Sequence, residues 1–516
     1  SANGSGLAAL DYDLDGLYDL VFLTGVAFPV DLASEAHRNR LYRNLGGWRF
    51  EDVTDRCGLE HIGYSHGVAV GDYDNDGFPD VYVACYGANC LFHNQGDGTF
   101  RRVEQQAGVA DERWGASSCF LDYNSDGLLD LYVCNYAKWS LETNPYCGDP
   151  QRGVRLFCSP SAVEPELDIL YRNEGDGTFR DVSGASGIDA RLGRAMGVVA
   201  AHFNEDEWID LYVTNDQNAN SLFLSDGDGR YRDMSEISGT AYNYLGHVVS
   251  SMGVDAADTR RNGLFDLLVT DFQDEFNLLF ANGGGGMFQD LSERSGVGPA
   301  SVQFVSWGIM FADFDLDGWP DAIVTNGHVD DDRQQMGEAT ALQLLPLFYH
   351  NVQGRFTALR EPLGPYFHTR HQGRGLTVAD LDNDGDQDVA FNHRDEAAAV
   401  LRNDRGYPQS GPRRSVVLRF VGTRSNRDAV GTVVTMRAGQ FTRTEQIMGG
   451  GGYQSARDLR QFFAVRAEET EWHVEIRWPS GQRSTLSGIE PGGAYTVIEP
   501  VDARAAPRVV AEVSTP

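Results

Sequence analysis

Lysine is almost absent from this chain: of its 42 basic residues only Lys138 is not arginine, a bias of the kind a GC-rich coding genome produces. Positive charge as a whole is scarce. The 516 residues carry 75 acidic side chains and a net charge of −33, which excludes nucleic acid and anionic membrane surfaces as partners. No run of about 18 apolar residues occurs, so no transmembrane helix is expected. Helical periodicity is nearly missing too, which points to an all-β fold. Cysteine is confined to the first third, at Cys57, Cys85, Cys90, Cys119, Cys134, Cys147 and Cys158. An odd count leaves at least one thiol unpaired. Cys147 and Cys158 bracket a Gly/Pro-rich insertion and are either its disulfide clip or two free thiols. No Ser/His/Asp order, phosphate loop or zinc spacing stands out. Gly193-Arg-Ala-Met-Gly197 is no dinucleotide fingerprint, because no βαβ unit surrounds it.

Acidic loops are abundant instead. Asp72, Asp74, Asp76 and Asp80 fall at spacings 0, 2, 4 and 8, with Gly77 at the sixth position and the alternating run Val81-Tyr-Val83 behind them. Alternate side chains of such a loop point inward, the glycine permits the turn, and the last carboxylate closes the shell. Ca²⁺, which takes 6–8 oxygen ligands, suits that donor set. The run that follows reads as a strand and not as the exit helix of an EF-hand. The frame recurs at Asp11, Asp13, Asp15 and Asp19; at Asp122, Asn124, Asp126 and Asp130; at Asp313, Asp315, Asp317 and Asp321; and at Asp380, Asp382, Asp384 and Asp388. Two copies are degraded. His202 replaces the first carboxylate before Asn204, Asp206 and Asp210. Arg260 sits between Asp258 and Asn262 in the copy that ends at Asp266, where its fixed charge can stand in for a metal. A chance acidic turn does not repeat seven times in register. Each ion would cancel two negative charges.

Around each loop the repeat has one grammar. A small-residue run leads in, an alternating strand leads out, then come Asn-x-Leu-Phe/Tyr-x-Asn (Asn39 to Asn44, Asn89 to Asn94), a Gly-Asp-Gly hairpin (Gly96-Asp97-Gly98) and a short strand. A unit of four antiparallel strands and about fifty residues is a propeller blade. Seven blades are expected at 1–58, 59–108, 109–187, 188–238, 239–297, 298–360 and 361–412. Phe100, Phe179, Phe288, Phe356, Trp208 and Trp319 are read as packing. Three insertions, 136–166, 327–346 (with His328, Asp330, Asp331 and Asp332) and 359–372, belong on the face opposite the Asp loops. There the residues just before each inner strand, His66, Trp114, Met252, Trp307, Arg194 and Arg374, converge on the channel mouth. The aromatic and Met side chains suit a flat or polyene-like ligand; the arginines and the histidine suit an anion or a proton. The bland alternative is that bulky residues simply plug a channel. His328, His368, His371 and His393 are candidates for a transition-metal site on that face.

Residues 413–500 read as a small β domain carrying the four-glycine run Gly449 to Gly452, and 501–516 as an extended tail. The blade motifs, with Thr325-Asn326-Gly327-His328, resemble the FG-GAP/VCBS repeats of integrin-α heads and many secreted proteins. With Gly422-Thr-Arg-Ser-Asn-Arg-Asp428, Gly-Gly-Tyr453 and Arg477-Trp-Pro-Ser-Gly481, the full order resembles the cartilage acidic protein family with its ASPIC/UnbV C-terminal domain. The longer glycine run and the two degraded loops depart from the family pattern. The resemblance implies a calcium-bearing seven-bladed propeller and usually export, but no fixed activity. Some members are extracellular matrix or interaction proteins, and bacterial UnbV members are encoded in enediyne polyketide cassettes. The expectation is a Ca²⁺-binding, exported binding or scaffold module. The alternative is a biosynthetic protein or enzyme of enediyne assembly that uses the channel mouth on a hydrophobic small molecule. The chain opens almost inside its first repeat, as a mature or trimmed form would.

Overall fold

Each Asp-rich stretch folds as the turn between two antiparallel strands. In the second repeat Tyr64–Gly71 leads in and Asp80–Tyr86 leads out, with Gly71 opposite Asp80. The turn needs left-handed backbone twice, at Asn75 (φ 60°) and Gly77 (φ 99°), residue types that tolerate it. The computed structural model describes residues 3–25, 37–329, 341–361, 363–404, 413–438, 441–466, 472–502 and 504–512. The sequence-predicted acidic residues Asp330, Asp331 and Asp332 lie outside these.

Seven antiparallel sheets follow in chain order. Their first strands are Leu7–Leu10, Tyr64–Gly71, Gly115–Leu121, Ala195–Ala201, Val254–Ala257, Ser306–Ala312 and Gly373–Ala379. Consecutive first strands pack side by side, and Gly373–Ala379 packs back on Leu7–Leu10. This is the ring arrangement of a β-propeller, in which each sheet buries its faces against its neighbours.

The repeat asparagine ties the ring together. Asn94 donates its side-chain N–H to Tyr12 O in the preceding Asp loop, Asn173 to Tyr73 O, Asn282 to Phe203 O, Asn351 to Thr259 O and Asn403 to Phe314 O. Asn44 reaches Leu381 O in the seventh sheet and closes the circle. Ser225 occupies this position in the fourth repeat and is too short for the link.

Among the described residues the seventh sheet has three strands, Gly373–Ala379, Asp388–His393 and Ala399–Leu401. Neither the first strand of the C-terminal domain nor the tail strand adds to it. Arg413–Val421 pairs with Gln461–Arg466 and, in parallel, with Ala494–Ile498. The tail strand Arg508–Ala511 pairs with Ala494–Ile498. Together these form one four-stranded C-terminal sheet. The other contains Phe441–Gln446, Val433–Ala438, His473–Arg477 and Arg483–Leu486. Between them lies a core that includes the fully buried Trp478, edge-on to Phe420 at 5.7 Å.

From this C-terminal unit residues 447–458 run into the axis of the ring. Gly449 and Gly450 pair with Ala200 and Val199, and Gly452 exchanges backbone hydrogen bonds with Val254. Gln454 donates its N–H to Ser117 Oγ and offers its carbonyl to Val68 N–H. Ala456 O accepts from Ala9 N–H and Thr377 Oγ1. Tyr453 packs on Trp307 with ring centres 5.3 Å apart. One segment thus touches the first strand of all seven sheets. Its glycines are required: Gly450 has φ 73°, and a Cβ there would lie 2.5 Å from Val198 O.

Candidate functional site

The Asp-loop face is built from buried carboxylates. Asp72 accepts the N–H groups of Asp76 and Gly77 at 3.0 and 2.7 Å. Asp80 accepts those of Tyr73 and Asn94 at 3.2 and 2.8 Å. Asp19, Asp130 and Asp388 repeat the second arrangement. The last aspartate therefore has a structural task of its own, and each oxygen keeps a lone pair for an ion. Burial pushes Asp19, Asp72 and Asp388 up to about 8, and Asp80, Asp122, Asp313 and Asp380 up to about 7. Buried oxygens of Asp11 (Oδ1), Asp13 (Oδ1), Asp321 (Oδ2) and Asp382 (Oδ1) have no hydrogen-bond partner. Oxygen-only, anionic and under-satisfied, this donor set fits a hard divalent cation.

Basic side chains reach into three of the loops from the residue just before the repeat asparagine. Arg43 Nη2 lies 2.7 Å from Asp13 and 3.0 Å from Asp15. His93 Nδ1 is 3.2 Å from Asp80, and His350 Nε2 is 3.4 Å from Asp315. The degraded copies differ in kind. Arg260 forks onto Asp266 at 2.7 and 3.0 Å, placing its charge inside the loop as the sequence reading anticipates. His202 faces Trp208 O and Gly431 O, and burial pushes it down to about 3, so it is neutral there. In the same loop Asn204 donates to Asp206 at 2.6 Å.

The C-terminal unit covers this face. Asp428 accepts Asp72 N–H at 2.7 Å, Arg443 Nη1 meets Asp313 Oδ2 at 2.6 Å, and Arg460 donates to Asp380 O at 2.8 Å. Arg477 reaches Asp206 O and Arg427 N–H donates to Asn75. Arg261 leaves its loop to lie 3.7 Å over Trp319 and 4.5 Å over Phe441.

On the opposite face a cavity of about 770 Å³ opens above the axis. Four of the six residues expected at the channel mouth line it: His66, Trp114, Met252 and Trp307. Trp114 is central, with Tyr136, Trp139 and Tyr86 at 5.0, 5.5 and 5.7 Å between ring centres, all at steep angles. Trp114 Nε1 donates to His66 Nε2 at 3.1 Å, which leaves the His66 Nδ1 proton for Gly4 O at 3.0 Å. Burial pushes His66 down to about 4, so at neutral pH it is the uncharged imidazole, with its single proton on Nδ1. The two arginines do not serve an anion. Arg194 is spent on Val163 O and the Asn218 side chain, where it anchors the 136–166 insertion. Arg374 is fully buried, donates to Gly327, Gly373 and His328 carbonyls, and lies 4.2 Å over the Trp307 ring.

The insertion forms one wall of the cavity. Its Cys147–Cys158 disulfide is present, closing the hairpin Cys147–Asp149/Val154–Leu156. Its Phe157 meets Arg394 of the seventh sheet at 5.9 Å across the mouth. Sequence reasoning missed Tyr86, Tyr136, Asp216 and Phe272. Tyr86 ends a second strand, Tyr136 and Asp216 directly follow one, and Phe272 lies three residues past one, a register that places them beside the residues at the entry of the inner strands. Asp216 accepts the Tyr136 hydroxyl at 2.8 Å, and burial pushes it up to about 7. Of the four histidines proposed as a metal site, His371 and His393 meet at 4.9 Å between rings, with Glu396 3.1 Å from His371. His368 faces Glu361 instead, and His328 is buried against Phe272.

The ASPIC and UnbV family matches residues 422–504, and the FG-GAP-like repeat matches residues 11–83, 72–133 and 202–269. Human cartilage acidic protein 1 is 25% identical over 365 residues, 66% of this chain and 49% of that protein. The mouse protein is 24% identical over 364 residues, 66% of this chain and 50% of that one. The chain thus spans about half the length of the curated relatives it matches. Among solved structures, an Agrocybe aegerita lectin that recognises non-reducing terminal N-acetylglucosamine aligns at 14% identity with a TM-score of 0.41, covering 78% of this chain and 95% of the lectin. YCF48 bound to a D1 peptide aligns at 7% identity with a TM-score of 0.43, covering 80% and 94%.

Proposed function

We propose that this chain, which belongs to the family of FG-GAP-like repeat proteins with an ASPIC and UnbV domain, is an exported, calcium-bearing seven-bladed propeller. It works as a binding module, and its ligand enters the aromatic cavity opposite the Asp loops. The observation that carries the reading is the division of the two faces. The C-terminal unit covers the loop face and fills the axis, while the other face keeps a cavity of about 770 Å³ walled by tryptophan and tyrosine. A cavity of this size holds a drug-sized ligand and takes most of its affinity from apolar burial. The steeply angled rings and the single buried carboxyl favour a flat, conjugated, largely apolar molecule. Ions in the five full loops would neutralise carboxylates that are otherwise buried side by side, and so hold the scaffold rigid. The residues that would hold them are the first, third, fifth and ninth of each loop.

Titration of a soluble polyene or polycyclic aromatic into the calcium-loaded protein tests the reading through tryptophan fluorescence. Saturable quenching that Trp114→Ala or Trp307→Ala abolishes without loss of the fold supports it. Identical quenching in wild type and both variants sinks it.

A second reading rests on Asp216. A carboxyl held near neutrality beside the Tyr136 hydroxyl can give or take a proton, as a step of enediyne polyketide assembly would need. Deletion of the gene in its source organism, with mass-spectrometric profiling of polyketide products, separates the two. Build-up of a polyene precursor favours the biosynthetic role; an unchanged profile favours the binding module.

A further inference from the structure

The second sheet carries a cluster that neither face of the ring uses. The sulfur atoms of Cys85 and Cys90 and a ring nitrogen of His61 lie within 4.8 Å of one another. Cys85 is near the end of the strand Asp80–Tyr86, and Cys90 opens the strand Cys90–Asn94. The short turn between them is pinned by Cys85 N–H donating to Asn89 Oδ1 at 2.7 Å. Both sulfurs are fully buried, whereas His61 is half-exposed and gives the cluster a side open to solvent. Both thiols are unbridged, although the Cys147–Cys158 pair in the same molecule is closed. The cluster is local, held by one hairpin and the segment just before the sheet.

From this geometry we propose that Cys85, Cys90 and His61 form a binding site for a thiophilic d¹⁰ cation, with Zn²⁺ the natural occupant. Two thiolates and one imidazole are three of the four ligands that tetrahedral zinc takes, and water on the open side supplies the fourth. Charge agrees. The Arg102 guanidinium is 3.2 Å from Cys90 Sγ, but Glu104 neutralises it at 2.6 Å. Two thiolates therefore need a further double positive charge. Without one, two buried thiolates side by side would repel each other, so the pair keeps protons, and Cys85 Sγ points its proton at Val83 O. Binding expels the thiol protons to solvent and puts the ion in their place. The oxygen-only Asp loops prefer a harder ion, so the two kinds of site divide metals by ligand softness. Backbone pairing fixes the two cysteines whether or not the ion is bound, so the site is preformed.

Cobalt(II) replaces zinc as a spectroscopic probe, added to the reduced full-length chain saturated with Ca²⁺. One equivalent should give the near-ultraviolet sulfur-to-cobalt charge-transfer band of thiolate ligation, and one equivalent of Zn²⁺ should bleach it. Cys85→Ser and Cys90→Ser should each abolish the band, and His61→Ala should weaken binding about tenfold or more. Unchanged melting temperature in these variants distinguishes lost ligation from lost fold. Zn²⁺ should also slow iodoacetamide alkylation of Cys85 and Cys90 while leaving denatured controls unaffected. The proposal is overturned if wild type gives no sulfur band, if the band survives in Cys85→Ser, or if peptide mapping finds a Cys85–Cys90 disulfide that forms equally with and without Zn²⁺.

Discussion

Replacing Arg443 with methionine tests the clamp between the C-terminal unit and the Asp loop it overlies. Arg443 Nη1 lies 2.6 Å from Asp313 Oδ2, and the two side chains are 5% and 0% exposed. Removing one partner of a buried ion pair costs about 3–5 kcal/mol when the other stays charged. Asp313 need not stay charged. Burial pushes it up to about 7 from an ordinary 3.8, even with Arg443 lowering it. A carboxyl raised on folding stabilises the folded state fully below about pH 3.8 and loses that contribution as pH rises through about 7. Without Arg443 its value climbs further, so the variant keeps the proton where wild type gives it up. The deficit of Arg443→Met should therefore be small at pH 5 and grow by about 1.4 kcal/mol per pH unit above about 7. Protonation keeps it below the full cost of a stranded charge. The assay is denaturant unfolding of both proteins at pH 5, 7 and 8 in excess chelator. Saturating Ca²⁺ should shrink the pH 8 deficit, because the ion takes over the neutralising role of the guanidinium. A deficit equal at pH 5 and pH 8, or none at all, would refute the reasoning.

Three further outcomes are expected. Excess chelator should lower the melting temperature of wild type, since each ion at a hundred times its dissociation constant adds about 2.7 kcal/mol; unchanged melting would remove calcium from the account. Gly450→Ala should destabilise the docking of the axial segment by about 1–3 kcal/mol, because its left-handed backbone (φ 73°) and the approach of Val198 O leave no room for a methyl group; limited proteolysis between the C-terminal sheets reads the release. Paired Cys147→Ser and Cys158→Ser should weaken fluorescence-detected ligand binding in the cavity while barely shifting the melting temperature, since the bridge closes a local hairpin and not the ring.

The sequence alone determined what is local. The spacing of Asp72, Asp74, Asp76, Gly77 and Asp80 dictates a tight turn between strands, and seven repetitions dictate seven sheets, because period-2 alternation and left-handed positions act within a few residues. His66, Trp114, Met252 and Trp307 were legible as channel-mouth residues for the same reason: each stands one residue before a glycine at the entry of an inner strand, although the structure places His66 and Trp307 within their strands and not ahead of them. The Cys85/Cys90/His61 cluster escaped notice, because its ligands converge through hairpin register and not through a familiar spacing. Tertiary structure decided the rest. The Tyr453 hydroxyl reaches Asn3 O across 450 residues of chain, and no local pattern encodes that contact. The four-glycine run reads as a flexible loop until the crowded axis, lined by carbonyls such as Val198 O, shows why side chains are excluded. Arg194 and Arg374 look alike in sequence to residues that face a ligand. Burial turned them inward, because a guanidinium removed from water must spend its donors on the nearest carbonyls, and here those carbonyls belong to the scaffold.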